Sequence, residues 1–370
     1  MDELYVGLMS GTSLNGVDAV LVALGGDRIS LQHHHSEPFP QVLYESLQQL
    51  ITTQQTSLSQ LADIDHQLAV VYSLAVNKLL EDAGIPATTI KAIGCHGQTI
   101  YHQPEGAHRN SLQLGDASYI AEITGIPVIA DLRRRDMAAG GQGAPMVPAF
   151  HAAAFRSTQC DRVIANIGGI ANITILPRDT RSPVTGFDTG PGNTLSDQWI
   201  RQQRHTPFDT NGDWAASGQI IQPVLNKLLA DPYFDKAPPK STGREYFNLP
   251  WLEQHVETAA YAPEDMQATL AELTSQTIAT AIQQYATEAT EIFVCGGGAH
   301  NAHIMLRLSQ LLTTASVQST RTLGVEPDWV EAAAFAWLAK QTLHKQAGNL
   351  PSVTGAKRSV ILGGVYQTED

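Results

Sequence analysis

The chain is poor in cysteine, in basic residues and in long apolar runs. Cys95, Cys160 and Cys295 are its only cysteines, far apart and odd in number. No paired spacing is present, which excludes a disulfide framework and a cysteine-based zinc site and fits a reducing cytoplasm. Twenty-three Lys and Arg against 36 Asp and Glu leave a net charge of −13. Such a surface repels a phosphate backbone or an anionic bilayer, so neither nucleic acid nor membrane is an expected partner. No apolar run approaches the roughly 18 residues of a membrane span, and Met1-Asp2-Glu3-Leu4 lacks the basic and apolar regions of a signal peptide. Lipidation motifs are missing too, so a soluble, cytoplasmic protein is expected. There is no Walker A loop, no His-Glu-x-x-His and no nucleophile elbow, which disfavours P-loop ATPases, zincins and α/β-hydrolases. The run His33-His34-His35 alternates faces if extended and reads as surface rather than as a metal site.

What is present suits a globular enzyme. Apolar residues make up 43% of 370, enough for a core and too many for a disordered chain, and the length suggests two domains. Residues 4–9 read as a strand, followed by the turn Ser10-Gly11-Thr12-Ser13-Leu14-Asn15-Gly16 and a returning strand over 17–24. Residues 163–167, Gly168-Gly169 and residues 170–175 repeat that plan, so the architecture reads as duplicated in plan though not in letters. Between the hairpins, Leu61, Ile64, Leu68, Val71, Ala75 and Leu79 keep helical spacing. A capping box of Ser57 and Gln60 starts this helix and Gly84 with Pro86 stops it. Short strands are expected at 92–94 and 126–130. In the second half a helix is expected over 265–285, then a strand at 292–294 running into Gly296-Gly297-Gly298, then helices near 302–312 and 329–343. Alternating strands and helices indicate an α/β fold. The Gly-, Pro- and Arg-rich stretch 133–148 suggests domains of 1–135 and 136–370, with the C-terminal segment returning to the first.

Five clusters could carry chemistry. The loop from Ser10 to Asp18 is either an ordinary turn or a cradle in which glycine N–H groups and hydroxyls meet a phosphate. Gly186-Phe187-Asp188-Thr189-Gly190-Pro191-Gly192-Asn193 places a carboxylate on a turn before a helix, where Asp188 either caps the turn or acts as a general base. An Asp-Thr-Gly triplet also raises an aspartic protease, but that chemistry needs paired carboxylates and this chain carries one copy. Gly296-Gly297-Gly298, between a strand and a helix, would let a nucleotide lie against bare backbone. Arg133-Arg134-Arg135-Asp136 with Gly140-Gly141-Gln142-Gly143-Ala144-Pro145 could hold a carboxylate substrate or form a solvated charge run. His96-Gly97-Gln98-Thr99 is a further polar cluster in which His96 is a weaker candidate.

In this order, Leu8-Met9-Ser10-Gly11-Thr12-Ser13, His96-Gly97-Gln98-Thr99, the arginine and glycine stretch, Gly186 to Asn193, Lys240-Ser241-Thr242-Gly243-Arg244-Glu245 and Cys295 to Gly298 resemble the anhydro-N-acetylmuramic acid kinases. The resemblance implies a two-domain sugar kinase, Hsp70 and actin fold, a duplicated RNase H-like α/β plan with ATP in an interdomain cleft. It implies a kinase that uses ATP and water to open the anhydro sugar, giving N-acetylmuramic acid 6-phosphate and ADP in peptidoglycan recycling, with Mg2+ as cofactor and a homodimeric assembly. By resemblance, Gly11, Thr12, Ser13, Leu14, Asn15, Gly16, Val17 and Asp18 form the first phosphate loop. Asn166, Gly168 and Gly169 form the second, and Gly296, Gly297 and Gly298 contact adenosine. Asp188 is the implied base, Glu331 the implied sugar contact, His96 and Arg134 further substrate candidates, and Asp18 and Asp188 the metal candidates, directly or through water. Asn15 stands where the family's loop usually has Asp, which removes one charge from the loop. The alternative is a nucleotide-gated sugar sensor or chaperone-like ATPase of the same fold.

Overall fold

The computed structural model describes residues 2–11, 14–26 and 28–368. Thr12 and Ser13 of the first loop lie outside the described residues. The chain divides into two compact units, Met1–Ala154 with Trp329–Asp370, and Phe155–Asp328.

The first unit is built on β1 (Glu3–Met9), β2 (Gly16–Gly25), β3 (Arg28–Pro38), β4 (Ile90–Cys95), β7 (Val128–Ala130) and β13 (Gly364–Tyr366), in the order β13-β7-β4-β1-β2-β3. β5 (Gln98–Gln103) and β6 (Asn110–Leu114) form a separate hairpin. β1, β2 and β3 make an antiparallel meander, while β4 runs parallel to β1 and β7 parallel to β4. Two helices precede β4: α1 (Gln41–Thr53) and α2 (Leu58–Ala83). α2 starts where expected, because the Ser57 hydroxyl accepts from Gln60 N and the Gln60 side chain accepts from Ser57 N. It stops at Gly84, whose φ of 64° suits a residue without Cβ. Ile64, Leu68, Tyr72, Ala75 and Leu79 bury its apolar face in one core with Val6, Leu8, Leu21 and Ile93 of the sheet.

The helix Val330–Leu343 also belongs to this unit and comes unusually close to the sheet. A Cβ on Gly7 of β1 would overlap the carbonyl of Ala332, and one on Gly94 of β4 would overlap the carbonyl of Phe335. Glycine in the interior of a strand marks such close backbone approach. These two positions seat the helix that carries Glu331.

The second unit repeats the plan with β8 (Asp161–Ile167), β9 (Ile170–Leu176), β10 (Thr185–Pro191), β11 (Ala289–Cys295) and β12 (Ser316–Ser319), in the order β10-β9-β8-β11-β12. Again three strands form an antiparallel meander, and two more follow in parallel beside the first. Counted from the first strand of each meander, both units read 3-2-1-4-5, the RNase H-like order, present twice. The helix Pro263–Tyr285 covers this sheet with Ala271, Ile278, Ala279 and Ile282.

The chain passes between units at Ala154/Phe155, whereas the sequence reading placed a boundary at 135/136. Composition misleads here because the glycine-rich loop after α4 (Leu132–Ala138) is fastened by a buried carboxylate. Asp136 Oδ1 accepts from Asn349 Nδ2 at 2.6 Å and Thr354 Oγ1 at 2.8 Å, and its Oδ2 accepts from Gly143 N at 2.8 Å. Loop and C-terminal segment are therefore tied into one unit. Asp136→Ala would leave Gly143 N and an Asn349 N–H unpaired, while the Thr354 hydroxyl can turn to the Leu350 carbonyl, so a loss of about 2–3 kcal/mol is expected in chemical denaturation.

Candidate active site

In the first unit the expected phosphate loop is the β1–β2 turn. Leu14 takes a φ of 58° and donates its N–H to the Gly11 carbonyl at 3.3 Å. Gly16 has no room for a side chain, since a Cβ would overlap the Glu37 carbonyl on β3. Leu14 and Val17 are buried in the core and contribute packing and backbone. The Asn15 side chain is exposed while its carbonyl accepts from Phe39 N at 3.3 Å. Asp18, opposite Met9 on β2, is half-buried and its Oδ1 accepts from Ser36 Oγ at 2.6 Å.

A buried network fixes this turn from behind. Ser10 Oγ donates to Gln98 Oε1 at 2.8 Å and lies 2.7 Å from the Tyr72 hydroxyl. His96 Nδ1 lies 3.2 Å from the Ser10 carbonyl, which can only accept, so the proton sits on Nδ1. Nε2 is then a lone pair and accepts from Arg133 Nη2 at 2.7 Å. Burial, reinforced by the Arg133 charge, pushes His96 down to about 3, so it stays neutral. Both ring nitrogens are occupied within the unit, which makes His96 a strut between Ser10 and Arg133.

The arginine run separates by helix face. Arg133 donates from Nη1 to the Gly143 carbonyl at 2.9 Å, and burial lowers its pKa to about 10 against the opposing charge of Glu331. Arg134 is exposed and spends its Nε on Asp131 at 2.6 Å. The inward arginine is thus Arg133, which sequence reasoning left unassigned. The available signal was periodicity, since Arg133 shares a face of α4 with buried Asp136 and Met137 at i+3 and i+4.

In the second unit the structure brings three expected clusters together. The hairpin turn Gly168-Gly169 joins β8 to β9, and the turn between β10 and α6 (Thr194–Arg204) docks onto it. Gly192 N and Thr194 N donate to the Gly169 carbonyl at 2.9 and 3.1 Å, and Asn193 N donates to the Gly168 carbonyl at 2.8 Å. Gly296 follows β11 with φ 74°, and a Cβ there would meet Asn166 Oδ1; one on Gly298 would overlap the Ile167 side chain. The last strand residues of β8 and β11 are register partners, Asn166 with Cys295. Asn166, Gly168, Gly169 and Gly296 to Gly298 therefore line neighbouring strand ends.

Asp188 lies on β10 beside an irregularity in its pairing with β9. Its Oδ2 accepts from Thr242 N at 3.0 Å, its N–H donates to the Lys240 carbonyl at 3.2 Å, and its own carbonyl accepts from the Tyr233 hydroxyl at 2.8 Å. Oδ1 has no hydrogen-bond partner among the described residues. Burial raises its pKa to about 6; the Thr242 N–H opposes the rise and the Glu245 charge adds to it. A carboxylate held at one oxygen, open at the other and titrating near neutrality can accept a proton from a bound water. Thr242 was noticed only as part of a motif; its role depends on a contact 54 residues along the chain from Asp188.

The family model for anhydro-N-acetylmuramic acid kinase matches residues 3–368. A protein named anhydro-N-acetylmuramic acid kinase from Shewanella pealeana is 50% identical over 366 residues, covering 99% of each chain. Another of that name from Coxiella burnetii is 48% identical over 367 residues, covering 99% of this chain and 98% of its own. The motifs are thus embedded in a likeness that runs from β1 to β13, and the chain belongs to the anhydro-N-acetylmuramic acid kinase family.

Proposed function

We infer that this protein is an ATP-dependent kinase that hydrolytically opens the 1,6-anhydro ring of anhydro-N-acetylmuramic acid and phosphorylates O6, yielding N-acetylmuramic acid 6-phosphate and ADP. Family membership supports the reaction, and Asp188 is the observation that carries its mechanism. Oδ1 of Asp188 takes a proton from a water whose oxygen attacks the anomeric carbon. The bond from that carbon to O6 breaks, O6 bonds to the γ-phosphorus, and the bond from phosphorus to the bridging oxygen of ADP breaks. Positioning and charge neutralisation dominate such a transfer.

On this reading the β1–β2 turn and the β8–β9 turn serve the phosphates, and Gly296 to Gly298 serve adenosine. Glu331 contacts the sugar. Arg134, exposed beside Asp131, is the candidate cation for an acidic substituent, while the donors of Arg133 are taken by His96 and the Gly143 carbonyl. Among the described residues no three His, Cys, Asp or Glu side chains gather as a metal site. Mg2+ is commonly held by one or two carboxylates and substrate phosphates. Asp18 and Asp188, directly or through water, are the residues that would hold it, and the ion would neutralise phosphate charge. A cytoplasmic setting is supported by three free cysteines.

Turnover in heavy-oxygen water tests the reaction. Mass spectrometry should find the label on the anomeric hydroxyl of the product and none in its phosphate. Label in inorganic phosphate with the anhydro bond intact would mean that water attacks ATP, which is the behaviour of the nucleotide-gated alternative.

A further inference from the structure

We propose that Arg244 is a catalytic residue of this kinase, a guanidinium supplied from the same unit as the base that neutralises the transferring phosphoryl group. The proposal rests on the kinase reading above and adds to it a residue to which no role has been given. Its first support is position. A Cβ on Gly169, in the turn of the second hairpin, would stand 2.6 Å from Arg244 Nε and 2.7 Å from Nη2, so the guanidinium lies directly over that turn. Gly169 lacks a side chain where the arginine needs the space.

The second support is availability. Arg244 is exposed, and its guanidinium makes no hydrogen bond or ion pair among the described residues. Two other arginines of this unit are consumed: Arg162 pairs with Glu291 at 2.6 Å and Arg307 with Glu272 at 2.7 Å. Asp197, in the first turn of α6, feels the Arg244 charge but does not pair with it, and Arg201 lies beside that carboxylate as well. The donors of Arg244 are thus left for a ligand, and five N–H groups in a planar fork suit phosphoryl oxygens.

The third support is the segment that carries it. Two residues earlier, Thr242 N holds Asp188 Oδ2, and the backbone around Arg244 is pinned by Asn248 Nδ2 to the Arg244 carbonyl at 3.2 Å and by Phe247 N to the Gly243 carbonyl at 3.1 Å. The same turn therefore holds the proton acceptor through Thr242 N and carries a cation over a glycine hairpin. That geometry fits a reaction in which water loses a proton as negative charge passes from O6 to the phosphoryl group. No bond to Arg244 forms or breaks; it donates hydrogen bonds to non-bridging oxygens whose charge is greatest in the transition state.

Steady-state kinetics of the full chain with ATP, Mg2+ and the anhydro sugar test this. Arg244→Ala should lower kcat by about 10³-fold, as loss of an arginine at a transferring phosphoryl group does, with the KM for the anhydro sugar changed by less than about threefold. Added guanidinium should restore part of the lost rate, a rescue that a merely structural role would not show, and Arg244→Lys should retain more activity than Arg244→Ala. A large rise in sugar KM at unchanged kcat would overturn the proposal and make Arg244 a sugar contact. Unchanged kcat and KM would overturn it as well. If wild-type protein gives no ring-opened phosphorylated sugar, the kinase reading itself fails, which the wild-type control separates from failure of the arginine assignment.

Discussion

Asp188→Asn is expected to lower kcat by about 10²–10⁴-fold while leaving the binding of both substrates nearly intact. The amide keeps the size of the side chain and can still accept from Thr242 N through its oxygen, so the clamp on β10 survives. What disappears is the proton acceptor. In the wild type, kcat/KM for the anhydro sugar should fall as pH drops through about 6, because the carboxylate titrates there and its protonated form cannot activate water. That acid limb should vanish from the residual activity of the variant. Stability should move the opposite way. The folded pKa of Asp188 stands above its ordinary value of 3.8, so the contribution to stability is present below that value and is lost as pH rises through about 6. At pH 7 to 8 the ionised side chain opposes folding, and the variant should be more stable by roughly 1–3 kcal/mol in denaturant titration. A variant both slower and less stable would point to a structural rather than a proton-accepting role.

Gly94→Val is expected to destabilise the protein by roughly 3 kcal/mol or more, at the upper end of the overpacking range. A Cβ at this position overlaps the carbonyl carbon and oxygen of Phe335 and meets the Ala339 methyl at 3.2 Å, so the obstacle is helix backbone rather than a side chain that can rotate away. The helix Val330–Leu343 would have to lift from β4. Glu331 sits in its first turn, so the fraction that still folds should also show a raised KM for the anhydro sugar. Equilibrium unfolding and steady-state kinetics on the same preparation check both effects. Unchanged stability would mean that the close approach of helix and sheet is not required.

Most of the scaffold was legible in local pattern. The helix 58–83 announces itself by its capping box and terminal glycine, and β8 and β9 by apolar runs around Gly168-Gly169. Such signals are local because capping and tight turns are satisfied by residues a few positions apart. The glycines of the turns and Asp188 were legible for the same reason, as small residues and a carboxylate at strand ends. β3 was not, because this edge strand is mostly polar, nor were β5 and β6, because a small hairpin carries little apolar periodicity.

By itself the sequence determined the α/β class, the duplicated hairpins, the family resemblance and Asp188 as the carboxylate to watch. Only the tertiary structure decided which side chains serve those motifs. His96 is a neutral strut because a carbonyl from residue 10 and a guanidinium from residue 133 take its two nitrogens. Arg133 faces inward and Arg134 outward because α4 packs one side against the Gly143 loop. Thr242 holds Asp188 and Arg244 covers Gly169 across gaps of more than fifty residues. Periodicity and composition report how a segment meets its neighbours in the chain, whereas burial and hydrogen-bond pairing are set by segments that only folding brings together.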